Sequence, residues 1–382
     1  SLKRVLPFSP RCGHFESNRW FCSVGENDER AAKKRYMMAV AYKGTEYKGV
    51  QLHPSVVTIQ GEIHNAIRKL DWITEIHHEN PAQVSWDQCS RTDKGVHALF
   101  NLISCKMRLF GDNSVETLNK ELPDDIKILD IFPVSRGLQV RKYCYHRAYE
   151  YLLPTRILKP SIRHPKYNEK AKDWKFTEED VKKINELCRL YVGTRKYHNY
   201  TKKLRYSSGA AQRLIKEFYI EEVLVIEGVE FAKFRIEGQS FLYHQIRKMI
   251  GLLSSMYRDG APMEVIPAVD KANYGNWLVP LAPGPFLMLV DLDLAQYNQK
   301  IRKTGGRSVY SRNYRSKMMD FRNSVLYPFL AKIEKEENLS ETFEHESLMQ
   351  MDYDYFLAPY IRNEAIPPPH ESLQYIAKEL RE

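Results

Sequence analysis

The 382-residue sequence predicts an α+β protein built on a largely antiparallel sheet. Two observations carry that prediction. Segments with apolar residues at period 2 and segments with helical period mix along the chain, without the strict strand–helix alternation that a parallel sheet needs. A strand, helix, strand order in the first half is also roughly echoed in the second, in a chain long enough for two domains or one large one with an extension.

Regular structure is expected from Lys33 onward. YMMAVAY (36–42) reads as a strand and KGTEYKG (43–49) as its turn. TIQGEIHNAIRKL (58–70) reads as a helix, with Thr58 as N-cap and Ile59, Ile63, Ile67 and Leu70 at helical spacing. Residues 98–107 form a strand, 115–122 a short helix stopped by Pro123, and 126–132 a further strand. RAYEYLLP (147–154) alternates as a strand and ends on Pro154. Residues 155–175, rich in Lys, Pro and Arg, read as a loop or insertion. The next helix, 177–193, opens with a capping box from Thr177 to Asp180 and stops at Gly193. Residues 213–226 and 230–237 make a hairpin around Glu227-Gly228. SFLYHQIRKMIGLLSSMY (240–257) reads as a strong helix, and 286–292 closes the sheet.

Hydrophobic residues at 43% and charged residues at 28% suit a globular chain. No apolar run approaches the length that spans a bilayer. A net charge of +10 favours a polyanionic partner, nucleic acid first. Cys12, Cys22, Cys89, Cys105, Cys144 and Cys188 contain no Cys-x-x-Cys pair, so reduced thiols are expected and a zinc site is not. His77–His78 reads as a solvated loop. Residues 1–24 carry Lys3, Arg4, Arg11 and Arg19 against Glu16, mildly like a mitochondrial presequence, and we read them as a flexible basic arm. After residue 295 a basic, tyrosine-bearing stretch (297–317) precedes an acidic one. Its basic section suits RNA contact and an ordinary charged surface equally.

Four stretches have the residue types for chemistry. In SRTDKGVHAL (90–99), Asp93 sits between Arg91 and Lys94, whose charge would keep a carboxylate ionised for use as nucleophile or base; a surface ion-pair loop has the same composition. Gly95 marks a turn. In RAYEYLLP, Tyr149 and Tyr151 share a strand face, fit for stacking on a base or for ordinary core packing. In GQSFLYHQIRKMIG (238–251), Arg247 and Lys248 interrupt an apolar helix. If Arg247 points inward it needs a buried partner; otherwise it reaches solvent. VGTRKYHNYTKKLRY (192–206) interleaves Arg195, Lys196, Lys202, Lys203 and Arg205 with tyrosines, a mixture that binds phosphates and stacks bases, or simply lines a solvated loop.

Together these stretches resemble the TruA-type pseudouridine synthase family. SRTDKGVHA resembles its catalytic Arg-Thr-Asp-x-Gly-Val loop, YKGTEYKGVQ and TIQGEIHNAI its opening strand, turn and helix, and RAYEYLLP its Arg-x-Tyr-x-Tyr strand. VGTRKYHNYT resembles the Gly-Thr-His-aromatic loop, GQSFLYHQIRKMIG the helix with the second active-site arginine, and PLAPGPFLMLVDL (280–292) the closing strand. The motifs keep the family's order across about residues 34–295, and the long C-terminal extension resembles the eukaryotic branch. Arg195 stands where many members have His, and Val50 where Trp is common, so no catalytic role is given to Arg195.

The resemblance implies the pseudouridine synthase fold, two α+β subdomains sharing a mainly antiparallel sheet flanked by helices, with the active site in a central basic cleft. Its expected divisions are a flexible basic arm (1–33), a first catalytic subdomain (34–140), a second (141–295) and an extension (296–382). The implied reaction is isomerisation of uridine to pseudouridine in RNA, mainly tRNA, with small nuclear RNA or mRNA as further substrates. No metal or organic cofactor is expected. Asp93 would be the nucleophile, Tyr149 would stack on the uracil and assist C5 proton removal, and Arg247 would pair with Asp93. Arg91, Lys94, Arg195, Lys202, Lys203 and Lys248 would contact the substrate. A monomer is expected, with a homodimer as the alternative, without membrane association, in nucleus and/or mitochondrion. The rival functional reading is a non-catalytic RNA-binding or tRNA-chaperone protein on the same scaffold. A metal-dependent nuclease is a third, against which stands the lack of clustered carboxylates.

Overall fold

Long apolar runs in the central strands dictate a sheet buried on both faces, and that is what forms. The computed structural model describes residues 32–164, 173–273 and 278–364. The chain divides into residues 1–32 and a unit from Lys33 onward, and all described residues but Ala32 belong to the second. The basic arm and Cys12 and Cys22 thus lie outside the described residues.

The strands are β1 (Lys34–Tyr42), β2 (Asp87–Gln88), β3 (His97–Met107), β4 (Ile126–Val134), β5 (His146–Pro154), β6 (Gly193–Lys196), β7 (Gln212–Ile226), β8 (Val229–Gly238) and β9 (Leu287–Asp293). They form one sheet in the order β4-β1-β3-β9-β5-β8-β7-β6, with β2 added to β3. Among the described residues every pairing is antiparallel except β3 with β9, which meet over His97–Met288 and Ala98–Leu289. The closing strand β9 therefore joins β3 to β5. Because β1 runs along one edge of β3, β2 and β9 share its other edge at opposite ends. The loop bearing Asp93 connects β2 to β3 and so lies at that junction.

The helices are α1 (Ile59–Lys69), α2 (Glu75–Glu79), α3 (Ser114–Glu121), α4 (Glu178–Arg189), α5 (Gln245–Asp259), α6 (Val265–Lys271), α7 (Ala295–Arg302), α8 (Arg315–Phe321), α9 (Tyr327–Glu337), α10 (Leu339–Glu346) and α11 (Asp354–Ile361). Both expected caps are present. Thr58 accepts from Gly61 N, and Thr177 and Asp180 close a reciprocal capping box before α4. The β7–β8 hairpin turns at Glu227 and Gly228, both at positive φ, as a two-residue turn requires.

Three expectations need correction. The helix expected from Ser240 starts only at Gln245, because His244 takes φ +68° and breaks the helical path before it. Residues 193–196 are an edge strand rather than loop, and His77–His78 lie on α2, where His78 stacks on His64 at 4.8 Å. Beyond residue 295, α8 and α9 are joined through a π-helical segment, Arg322–Leu326. Pro328, which has no N–H to give to the preceding turn, accounts for that irregularity. These helices pack from β3 and β4 across to β7 and β8, covering one sheet face.

Candidate active site

Asp93 is held by backbone anchors on both sides of its loop. Cys89 N donates to Leu102 O at 2.9 Å, extending the β2–β3 ladder. The buried Asn101 amide donates to Ser90 O (2.9 Å) and to Tyr42 OH (3.2 Å), and Tyr42 OH pairs with Thr92 Oγ1 at 2.8 Å. A turn then closes from Asp93 O to Val96 N (3.2 Å), with Gly95 at φ +79°. Behind it lies the 43–49 turn. Gly44 N donates to His97 Nδ1 at 2.9 Å, and a Cβ on Gly44 would stand 2.0 Å from Val96 O. His97, pushed down to about 4 chiefly by burial, is a neutral ring whose other nitrogen meets Pro285 O at 2.6 Å.

β5 and the start of α5 supply the opposite wall. Tyr149 and Tyr151 share a face of β5, as period 2 requires. Tyr149 OH pairs with Ser90 Oγ at 3.0 Å, and Tyr151 OH donates to Pro283 O at 3.0 Å. Arg147, on the same face, donates to Cys144 O (3.2 Å), Gln239 O (2.6 Å) and Cys89 O (3.1 Å). It thereby ties β5 to the Asp93 loop and to the approach to α5. At the start of α5, His244 N points to Asp93 Oδ2 at 3.4 Å, so the carboxyl faces the positive end of a helix. Arg247, one turn in, donates from Nε to Ala282 O at 2.6 Å.

Electrostatically, burial pushes the Asp93 carboxyl above the usual carboxylate range; the His244 N–H and the Arg247 charge pull the other way. Burial likewise lifts the Tyr149 phenol to about 12, so it is protonated at neutral pH. The His244 ring is pushed down to about 3 by burial and by Arg247, Lys202 and Lys248, so it is neutral. Asp93, Tyr149, Arg247, Arg91, Arg147 and Arg141 line one open cavity of about 460 Å³. That space takes a flat heterocycle with its sugar. No group of three or more potential metal ligands occurs among the described residues.

Comparison with known proteins decides the family. The tRNA pseudouridine synthase family model matches residues 187–291, from the end of α4 into β9 and across Arg247. The chain is 31% identical over 325 residues to the Pseudouridylate synthase 1 homolog of Mus musculus, covering 82% of this chain and 74% of that one. Against the Homo sapiens protein of that name it is 32% identical over 308 residues, covering 79% and 70%. The tRNA pseudouridine synthase 1 of Yarrowia lipolytica is 26% identical over 396 residues, covering 83% and 74%. The chain belongs to the tRNA pseudouridine synthases.

Within this synthase the expected trio, Asp93, Tyr149 and Arg247, converges on one cleft with Arg91. The charges around Asp93 differ from expectation. Arg91 and Lys94 are exposed, and among the described residues Asp93 makes no ion pair within 4.0 Å. Its counter-charge is the field of Arg247 and the start of α5 instead. Lys94 lies beside Lys48 and outside the cavity lining, and Lys202 and Lys203 sit on an exposed loop. Two expected substrate contacts are otherwise engaged. Arg195 pairs with Asp270 at 3.1 Å, across the end of β6, and Lys248 is buried with Nζ 3.5 Å from Asn199 O. Arg147, Arg141 and His244 were not singled out from sequence. The alternation that joins Tyr149 to Tyr151 also puts Arg147 on their face; His244, expected inside a helix, carried no such signal.

Proposed function

We propose that this synthase isomerises uridine to pseudouridine in tRNA, with Asp93 as its nucleophile. The observation that carries the reading is the delivery of Asp93, Tyr149 and Arg247 to one cavity from a loop, a strand and a helix. The reaction breaks the bond from C1′ to uracil N1, turns the base and forms the bond from C1′ to C5; C5 loses its proton and N1 gains one. Ionised Asp93 supplies the electron pair that holds either sugar or base while the base turns. Arg247 and the α5 N-terminus favour that ionised form against burial. Tyr149 acts as a neutral phenol, its ring offered to the uracil and its hydroxyl held by Ser90. Extracting the uridine from its stack costs a few kcal/mol, and a base–aromatic contact returns about 1–3 kcal/mol. Arg91 and the exposed Lys94, Lys202 and Lys203 supply phosphate contacts for the remainder.

The test is tritium release from tRNA labelled at uridine C5, by wild type and by Asp93→Ala. Release by wild type alone is expected, with tRNA affinity of the variant within a few fold. Full activity of Asp93→Ala would overturn the assignment. We also propose a monomeric enzyme acting in nucleus and/or mitochondrion. The cover that α8 and α9 give one sheet face supports the first, to be checked by light scattering. Similarity to the eukaryotic branch supports the second, to be checked by imaging the full-length protein.

A further inference from the structure

A second cavity, of about 370 Å³, opens between the start of β1, residues 85–87 and the segment after β4. It is lined by Arg35, Arg136, Arg141 and Lys142, together with Trp86 and Asp87. Arg141 also lines the cavity holding Asp93, so one side chain belongs to both.

The charges of this second cavity are unbalanced in an informative way. Arg35 is only 8% exposed, and its guanidinium donates to neutral oxygens, Ser104 Oγ at 3.3 Å and Ser85 O at 2.9 Å. Among the described residues no carboxylate lies within 4.0 Å of it. A buried cation without an anion is costly, so a position that keeps one is suited to an anion from outside. Asp87 is the one lining acid, and it pairs with none of the four cations; its Oδ1 takes its neighbour's N–H at 3.1 Å, while its buried Oδ2 has no partner among the described residues. Room is therefore left between cations and carboxylate. A bare anion would gain nothing from that carboxylate. A nucleotide would, since it carries a phosphate for the arginines, a flat base for the wall that includes Trp86, and an amine on adenine, guanine or cytosine for Asp87.

We propose that this cavity is a second nucleotide subsite, which holds a nucleotide flanking the target uridine while the uridine occupies the Asp93 cavity. The proposal rests on the uridine-isomerising reading above. Arg141 is the side chain through which the bound strand passes from one cavity to the other.

The test compares Arg136→Ala/Lys142→Ala, two exposed positions, with a control of equal charge change on α9, Lys332→Ala/Lys335→Ala. Kd for an unmodified tRNA transcript is measured as a function of salt, with tritium release run alongside. The subsite variant is expected to bind about tenfold more weakly, with a salt slope reduced by about 0.7 for each phosphate that is no longer neutralised, and the control to bind like wild type. A short uridine-containing RNA with an abasic site scanned through the flanking positions then locates the nucleotide. At one position the abasic site should weaken wild type without weakening the variant further. Equal binding by variant and control, or additive losses at every position, would overturn the subsite. Failure of wild type to release tritium from tRNA would instead remove the reading on which it rests.

Discussion

Gly44→Ala tests whether the turn behind the 90–96 loop sets the position of Asp93. The new Cβ would lie 2.0 Å from Val96 O and 2.8 Å from Val96 C, both backbone atoms. Ordinary contact begins near 3.4 Å, so the two segments must separate by about 1.4 Å (3.4 less 2.0). No flexible side chain lies between them to absorb it. Val96 is bonded to Asp93 O, and Gly44 N to His97 Nδ1, so the displacement reaches Asp93 through one turn of chain. A misplacement of about 1 Å costs on the order of 100-fold in rate, and overpacking of this kind about 1–3 kcal/mol in stability. Single-turnover tritium release at saturating enzyme should fall by roughly 100-fold, with tRNA affinity within a few fold. Gly209→Ala, whose Cβ meets nothing within 4 Å, is the control and should be neutral. A folded Gly44→Ala enzyme that reacts within threefold of wild type would refute the reasoning.

The remaining expectations concern charge and anchoring. Because burial raises Asp93, its ionised form is lost on acidification at a pH above that of an ordinary carboxylate, and single-turnover rate should fall with it. The stability sign is opposite. As pH rises from the unfolded to the folded value, the native state keeps a proton the unfolded chain gives up, so stability falls and stays lower above. Asp93→Asn should therefore be at least as stable as wild type at pH 7; a lower urea midpoint would contradict this. Arg147→Lys replaces a guanidinium that reaches three carbonyls with a single ammonium. We expect a loss of about 10–100-fold in rate with little change in Kd, and an unchanged rate would show that the clamp does not position the loop. Arg156→Ala leaves Glu334, 2% exposed, with its charge unpaired. Allowing for the half-exposed arginine, urea denaturation should show a loss of about 2 kcal/mol, and a loss near zero would mean that this ion pair does not dock the extension.

What sequence revealed and what it hid follow from the range of the interactions involved. Strands such as 36–42 and the hairpin at Glu227-Gly228 were legible because period and turn chemistry are local. So were the caps at Thr58 and Thr177. The Asp93 loop was legible as a motif, and its link to Arg247 only through the family resemblance: the sequence neighbours Arg91 and Lys94 are exposed, while the groups that act on Asp93 lie about 150 residues away at the start of α5. Arg195 and Lys248 read as substrate-facing cations, since nothing local announces Asp270 or Asn199 O as partners. The extension shows the same effect. Arg307 pairs with Asp130, and Lys317 donates to Leu129 O at 2.8 Å, so part of its basic stretch fastens it to β4.

Among the described residues Asp93 makes no ion pair within 4.0 Å, and that bears on how the site works. A tight pair with Arg247 would fix the carboxylate oxygens and would have to open before they could reach a sugar or a base. Here Arg247 is held by Ala282 O, and the 282–285 segment also receives Tyr151 OH and meets His97, so the guanidinium is fixed by the scaffold rather than by Asp93. Its field and the start of α5 still favour the ionised form, while among the described residues the one hydrogen bond donated to the Asp93 carboxyl is from His244 N to Oδ2. Incoming RNA adds negative charge, which would raise Asp93 further unless phosphates are neutralised at the rim. The exposed cation Arg91 lines the Asp93 cavity and is the group through which we expect that neutralisation to act. On the proposed mechanism, substrate binding and Asp93 ionisation are then coupled: Arg91→Ala should weaken tRNA binding and also move the acid limb of the bound-state pH profile upward.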